Sequence, residues 1–172
     1  ISLMTISNEF IMFFSAKSYW EGKTIALVLV EAIFFLFLYT LPVGVEHYTK
    51  HTQYIALGSV LPAMLNVALN YLGIKYYGYE AAAYTTMISN IALFLLHWNI
   101  ASRLFKVKEL FDLKWMMLLA AAVVIWGRFC RYTQNMWIIR YGGYLIVLGL
   151  ALFYFKEDVY TYIRNLKRNV DE

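Results

Sequence analysis

A chain of 172 residues that is 62% apolar and only 15% charged cannot clothe a water-soluble core of its own size, since soluble domains carry roughly a quarter charged residues. The mean hydropathy of +0.57 agrees. The net charge of +4 and pI near 9.1 do not point to nucleic acid, because the basic residues are scattered among apolar stretches rather than gathered on one face; cationic loops suit anionic lipid headgroups instead.

In chain order, residues Ile1–Tyr19 read as the end of a helix, with no initiator Met and no signal-peptide pattern. Span one is expected over Thr24–Val45, broken near its end by Pro42 and Gly44. Spans two and three, Tyr54–Ile74 and Ala81–Ser102, carry no Asp, Glu, Lys or Arg and are joined by the short bridge Lys75–Glu80. A hydrocarbon core about 30 Å thick takes roughly 20 apolar residues to cross as a helix, so each segment has the needed length and the bridge permits only a tight hairpin. Span four is shorter, Trp115–Phe129, and span five covers Met136–Phe155. The fold class is therefore all-α, a polytopic transmembrane helix bundle of five full spans and a partial one over residues 1–155, with a hydrophilic tail over 156–172. In that tail Val159, Ile163, Leu166 and Val170 recur at helical spacing beside Lys and Arg, the pattern of an amphipathic surface helix.

Charge sets the expected orientation. With five alternating spans, Lys50, Arg103, Lys106, Lys108, Lys114, Lys156, Arg164, Lys167 and Arg168 share a side, nine of the 15 basic residues. Lys17, Lys23, Lys75, Arg128, Arg131 and Arg140 fall opposite. The positive-inside rule then places the C-terminus in the cytoplasm. Tyr and Trp near span ends, such as Tyr19, Trp20, Tyr76, Tyr77, Trp115 and Trp137, fit the membrane–water boundary.

No enzyme chemistry is expected. Cys130 is the lone cysteine. His47 and His51 sit four apart beside Glu46, a metal-like spacing, but no third ligand is evident and the segment reads as a loop. Glu109/Asp112 and Glu157/Asp158 lie among lysines, as solvated surface does. No phosphate-binding glycine loop of the nucleotide hydrolases and no G-x-S-x-G motif is present. The polar residues inside the spans carry the interest. Glu31 lies mid-span, where a carboxylate is costly and should face the bundle interior, a watery cavity or a cation. Asn66 and Asn70 share a face of span two, and Thr85, Thr86, Ser89 and Asn90 form a polar stripe on span three; interhelical hydrogen bonding is the plainer reading of the Asn pair, which lies deep and beside small residues that allow close packing. Pro62 should kink span two. Arg128, Arg131 and Arg140 either snorkel to headgroups or meet an anionic substrate.

The hairpin Leu69-Asn70-Tyr71-Leu72-Gly73-Ile74-Lys75-Tyr76-Tyr77-Gly78-Tyr79-Glu80-Ala81-Ala82-Ala83-Tyr84-Thr85-Thr86 resembles that of bacterial polysaccharide flippases in the multidrug/oligosaccharidyl-lipid/polysaccharide exporter superfamily. Asn70, Gly78, Ala82, Ala83 and Thr86 match the usual pattern, while Lys75 stands where Pro is common and Ala81 where Gly is common. The opening, Asn8-Glu9-Phe10-Ile11-Met12-Phe13-Phe14 and then Lys17-Ser18-Tyr19-Trp20, looks like a helix end before the family's central outer loop, and the likeness runs over roughly residues 5–155. The resemblance implies the C-terminal half of a two-lobed transporter in the bacterial inner membrane, with a missing N-terminal half as partner. It implies a substrate too: a lipid-linked oligosaccharide of O-antigen, capsule or exopolysaccharide type on an undecaprenyl pyrophosphate carrier. No cofactor is expected beyond a coupling ion, H+ or Na+. Glu31, Asn66, Asn70, Thr86, Asn90, Arg128, Arg131 and Arg140 become the candidate substrate pathway. A cation-coupled drug exporter of the same superfamily and a membrane enzyme acting on polyprenyl lipid through Glu46, His47 or His51 are the alternatives.

Overall fold

The computed structural model describes residues 1–104, 110–154 and 156, and it is helical throughout its ordered elements. Helix α1 covers Ser2–Phe14 and is followed by a 3-10 helix over Lys17–Gly22. Then come α2 (Lys23–Tyr48), α3 (Thr52–Tyr77), α4 (Ala81–Leu104), α5 (Leu113–Tyr132) and α6 (Trp137–Tyr154). Lys106, Lys108, Glu109, Glu157, Asp158 and the amphipathic pattern of the tail lie outside the described residues.

Among the described residues four segments are long and apolar enough to cross a membrane: Lys17–Tyr48, Thr52–Tyr77, Leu113–Tyr132 and Trp137–Tyr154. Helix α4, expected as a fifth, has 24 residues and the length for it, but Thr85, Thr86, Ser89, Asn90, His97 and Asn99 lower its hydropathy and it is not among the four. Large apolar side chains cover the outer faces, among them Leu57, Leu61, Met64 and Val67 on α3 and Ile138, Ile139, Leu145, Ile146 and Phe153 on α6. Such faces suit acyl chains, and helices whose backbone groups bond internally are what a bilayer tolerates. The molecule has the build of a multi-pass membrane protein.

Helix α2 is the hub. It packs on α4 most extensively, then on α5, α1 and, lightly, α3. One core cluster joins Phe35 and Leu38 of α2 to Phe94, Trp98 and Ala101 of α4 and Met116 and Ala120 of α5. A second joins Met4, Leu27, Trp126 and Cys130 at the junction of α1, α2 and α5. Helices α3 and α6 lie outside this centre. In α3 only Gly58 and Pro62 are buried, and in α6 only Arg140.

Several boundaries differ from the sequence reading. The opening segment is not one helix: the chain turns extended at Ser15 and Ala16 before the 3-10 turn. Helix α2 runs past Pro42 and Gly44 to Tyr48. A proline removes one helix donor, yet Pro42 is buried and the following turns still bond, up to Thr49 N donating to Val45 O at 3.0 Å. Helix α5 is longer than expected because Asp112 caps it, its carboxylate accepting from Lys114 N at 2.8 Å. The hairpin between α3 and α4 turns at Gly78, whose φ of +79° favours glycine. Gly73 lets the two arms close, since a Cβ there would stand 3.2 Å from Ala81 Cβ and Thr85 Cγ2.

Candidate functional site

Polar and ionisable side chains gather at four places in the bundle. The first is the face between α3 and α4. Thr85 Oγ1 donates to Asn70 Oδ1 at 2.5 Å, and Asn70 Nδ2 donates to Asn66 Oδ1 at 2.9 Å. The relay ends on Asn66, which lines a cleft of about 410 Å³ with Ser59, Pro62, Ala63, Val67, Thr86, Ser89, Asn90 and Leu93. Thr86 Oγ1 donates to Ala82 O at 2.7 Å and Ser89 Oγ to Thr85 O at 2.8 Å, which leaves hydroxyl lone pairs as acceptors. Asn90 Nδ2 donates to Ala32 O at 2.8 Å and so ties the cleft to α2. The structure thus brings Asn66, Thr86 and Asn90 together, with Asn70 behind them.

Glu31 occupies the second place. It is 1% exposed, and its Oε2 has no hydrogen-bond partner. Its other carboxylate oxygen lies where a side chain on Gly127 of α5 would begin. Arg128 and Arg131 lie within electrostatic reach, both exposed, and Arg131 Nη1 donates to the Tyr84 hydroxyl at 2.8 Å. Gly127→Ala should therefore force the Glu31 carboxylate aside and cost about 1–3 kcal/mol. Thermal unfolding in detergent would read the loss, and Glu31→Ala in the same chain should restore most of it, because the space is then free.

The third place is the end of the bundle where α1 meets α6. Arg140 is 1% exposed and forms an ion pair with Glu9, while its Nη1 donates to Gln134 O at 3.2 Å. Asn8 Nδ2 donates to the same carbonyl at 3.1 Å. Arg140 is accordingly a buried structural cation, unlike Arg128 and Arg131, and it does not snorkel.

The fourth place was not foreseen. Glu46 and His97 are both fully buried, and His97 Nδ1 stands 3.0 Å from each Glu46 carboxylate oxygen. Tyr39 packs edge-on against the His97 ring at 5.0 Å between centroids. Gly58 of α3 closes the far side, where a Cβ would lie 2.9 Å from His97 Nε2. Glu46 and His47 belong to the last turn of α2, not to a loop. Glu46 turns inward while His47 and His51 are exposed, so the metal-like spacing does not become a cluster. No group of three or more His, Cys, Asp or Glu placed to hold a metal exists among the described residues. The signal that would have found this pair is His97 itself, the one titratable side chain other than Tyr84 in a stretch otherwise free of charge at membrane depth.

These four places give the bundle hydrogen-bonding capacity between α3 and α4 and buried acids at two levels, Glu31 and Glu46. No protein-family model, no curated protein and no solved structure matches this chain.

Proposed function

We propose that the chain forms part of a membrane transporter that moves a lipid-linked oligosaccharide across the bacterial inner membrane, with its C-terminus in the cytoplasm. The observation that carries this reading is the cleft between α3 and α4. Its nine lining residues include Ser59, Asn66, Thr86, Ser89 and Asn90 and no charged side chain. Neutral amides and hydroxyls on an apolar floor complement the hydroxyls of a sugar better than they complement an ion. Arg128 and Arg131, neighbours one turn apart on α5 and exposed, offer planar donors to a pyrophosphate carrier, since guanidinium groups bind such oxygens in pairs. Arg140 is already engaged by Glu9 and is left out of that role.

The test is the double substitution Asn66→Leu/Asn90→Leu in cells whose surface polysaccharide depends on this protein. Each lost hydrogen bond is worth about 1 kcal/mol, so export should fall about tenfold or more at an unchanged protein level, with lipid-linked repeat units retained inside. Unaltered surface polysaccharide would sink the reading.

A second reading, export of cationic amphiphiles, draws on the groove of about 480 Å³ at the hairpin, where Tyr76, Tyr77, Tyr84 and Glu80 meet Leu69 and Leu72. Aromatic faces and a carboxylate attract organic cations. That reading expects Glu80→Gln to raise drug sensitivity while polysaccharide export stays intact.

A further inference from the structure

The pair formed by Glu46 and His97 lies outside the proposed sugar cleft and has two properties that a purely structural contact does not need. It is fully buried and ionisable, and one of its four polar atoms, His97 Nε2, has no hydrogen-bond partner. We infer that Glu46 and His97 form a proton-binding site, with the exchangeable proton carried on Nε2 at the face toward α3.

The atom follows from charge balance. Nδ1 lies between both carboxylate oxygens at 3.0 Å, so one proton is always held between ring and carboxylate. Two arrangements make the pair neutral overall: an imidazolium beside a carboxylate, or a neutral ring beside a carboxylic acid. Both have a hydrogen on Nε2, the first because both ring nitrogens are protonated and the second because Nδ1 must then accept. Removing one proton leaves a carboxylate, an Nδ1–H and a bare Nε2, with one net negative charge buried away from water. Loss of a proton by the neutral pair, and its return, therefore pass through Nε2, and the proton goes to or comes from water admitted on that side.

The surroundings leave that atom to α3. From α2 the ring meets Glu46 and Tyr39. From α3 it meets Gly58, which has no side chain to offer, and the nearest titratable residue along that helix is Tyr54, stacked on His51 at 6.0 Å. Lys50, Arg103, Asp112 and Lys114 stand at the same end of the bundle, all exposed. Pro62 lies one turn beyond Gly58 and has no amide hydrogen, so the Gly58 carbonyl loses its usual helix donor. A protonated Nε2 thus faces the buried turn of α3, which has no side chain at Gly58 and is short of one donor, and a small outward shift of α3 would admit water or that carbonyl to it. The same helix contributes Ser59, Pro62, Ala63, Asn66 and Val67 to the sugar cleft. Proton occupancy and cleft width then share one moving part, and this use of the site rests on the transport reading above.

The experiment is nitrogen-15 NMR of the histidine rings in the whole protein reconstituted in lipid bilayers, in a His47→Gln/His51→Gln background, with the His97 signals identified by their loss in His97→Gln. The expected result is an Nε2 that passes from protonated to bare as the pH is raised, with Nδ1 holding the proton that remains. In Glu46→Gln the ring should hold a single proton at every pH measured, because no anion remains to balance a second. An Nε2 signal that never changes, or a Glu46→Gln ring that titrates like the parent, overturns the site. Export of lipid-linked oligosaccharide, measured over the same pH range, should follow the Nε2 transition in the parent and lose its pH dependence in His97→Gln. A His97→Gln variant with the parent's pH profile overturns the coupling. If His97 titrates but no oligosaccharide moves, the transport reading fails and the proton site stands; if oligosaccharide moves and His97 does not titrate, the site alone fails.

Discussion

His97→Leu should cost about 3 kcal/mol or more of stability, whereas Glu46→Leu/His97→Leu together should cost far less. Removing one member of a buried ionic pair strands the other, at roughly 3–5 kcal/mol, while replacing both with apolar side chains of similar volume is often neutral or better. Glu46 and His97 are each 0% exposed, so neither turns to water when its partner is lost. The site is also lined by apolar or small neighbours, Tyr39 and Gly58 among them, which suits a leucine pair. Unfolding in mixed micelles for the two singles and the double, closed as a cycle, measures this; additive losses would mean that the two residues act separately. A folded double variant serves a further purpose, since it keeps the bundle and removes the proton site.

Glu9→Leu should destabilise the protein more than Arg140→Met, although the two side chains form one contact. The pair is asymmetric: Arg140 is 1% exposed and Glu9 is 44% exposed. Without Glu9 the guanidinium stays buried with only Gln134 O as acceptor, and its Nε is already unpartnered. That is the expensive case, about 3 kcal/mol, at the low end for buried pairs because the missing carboxylate opens a route for water. Without Arg140 the carboxylate turns to solvent or headgroups, and Met fills part of the space, so about 1 kcal/mol is expected. Equal losses in thermal unfolding would show that the burial difference does not govern the contact.

The hairpin was the most legible part of the fold. Two long stretches without Asp, Glu, Lys or Arg, a short bridge and Gly78 sufficed, because hydrophobic length and a positive φ are local properties. Helix ends were less legible. Pro42 and Gly44 look like a stop in sequence, but tertiary burial of Pro42 carries α2 one turn further. The break at Ser15 and Ala16 has no comparable sign in that apolar stretch. Among the candidate residues, Asn66, Thr86 and Asn90 converge on one cleft, as their shared faces allow. The three arginines separate, since burial of Arg140 depends on Glu9, 131 positions away in the chain. In the sequence Glu46 groups with its neighbours His47 and His51, whereas its partner is His97, 51 positions on. Spacing along a chain reports what shares a helix face; it is silent on which helix stands opposite.

Helix α2 holds Glu31 and Glu46 on one continuous rod, fifteen residues and about 22 Å apart at 1.5 Å per residue. Between them it leans on Phe94 through Phe35. The rod is also held at both ends, by Leu27 in the second core cluster and by Glu46 on His97, so it is clamped along its length. Spin labels placed at its two tips should therefore keep one narrow, fixed separation.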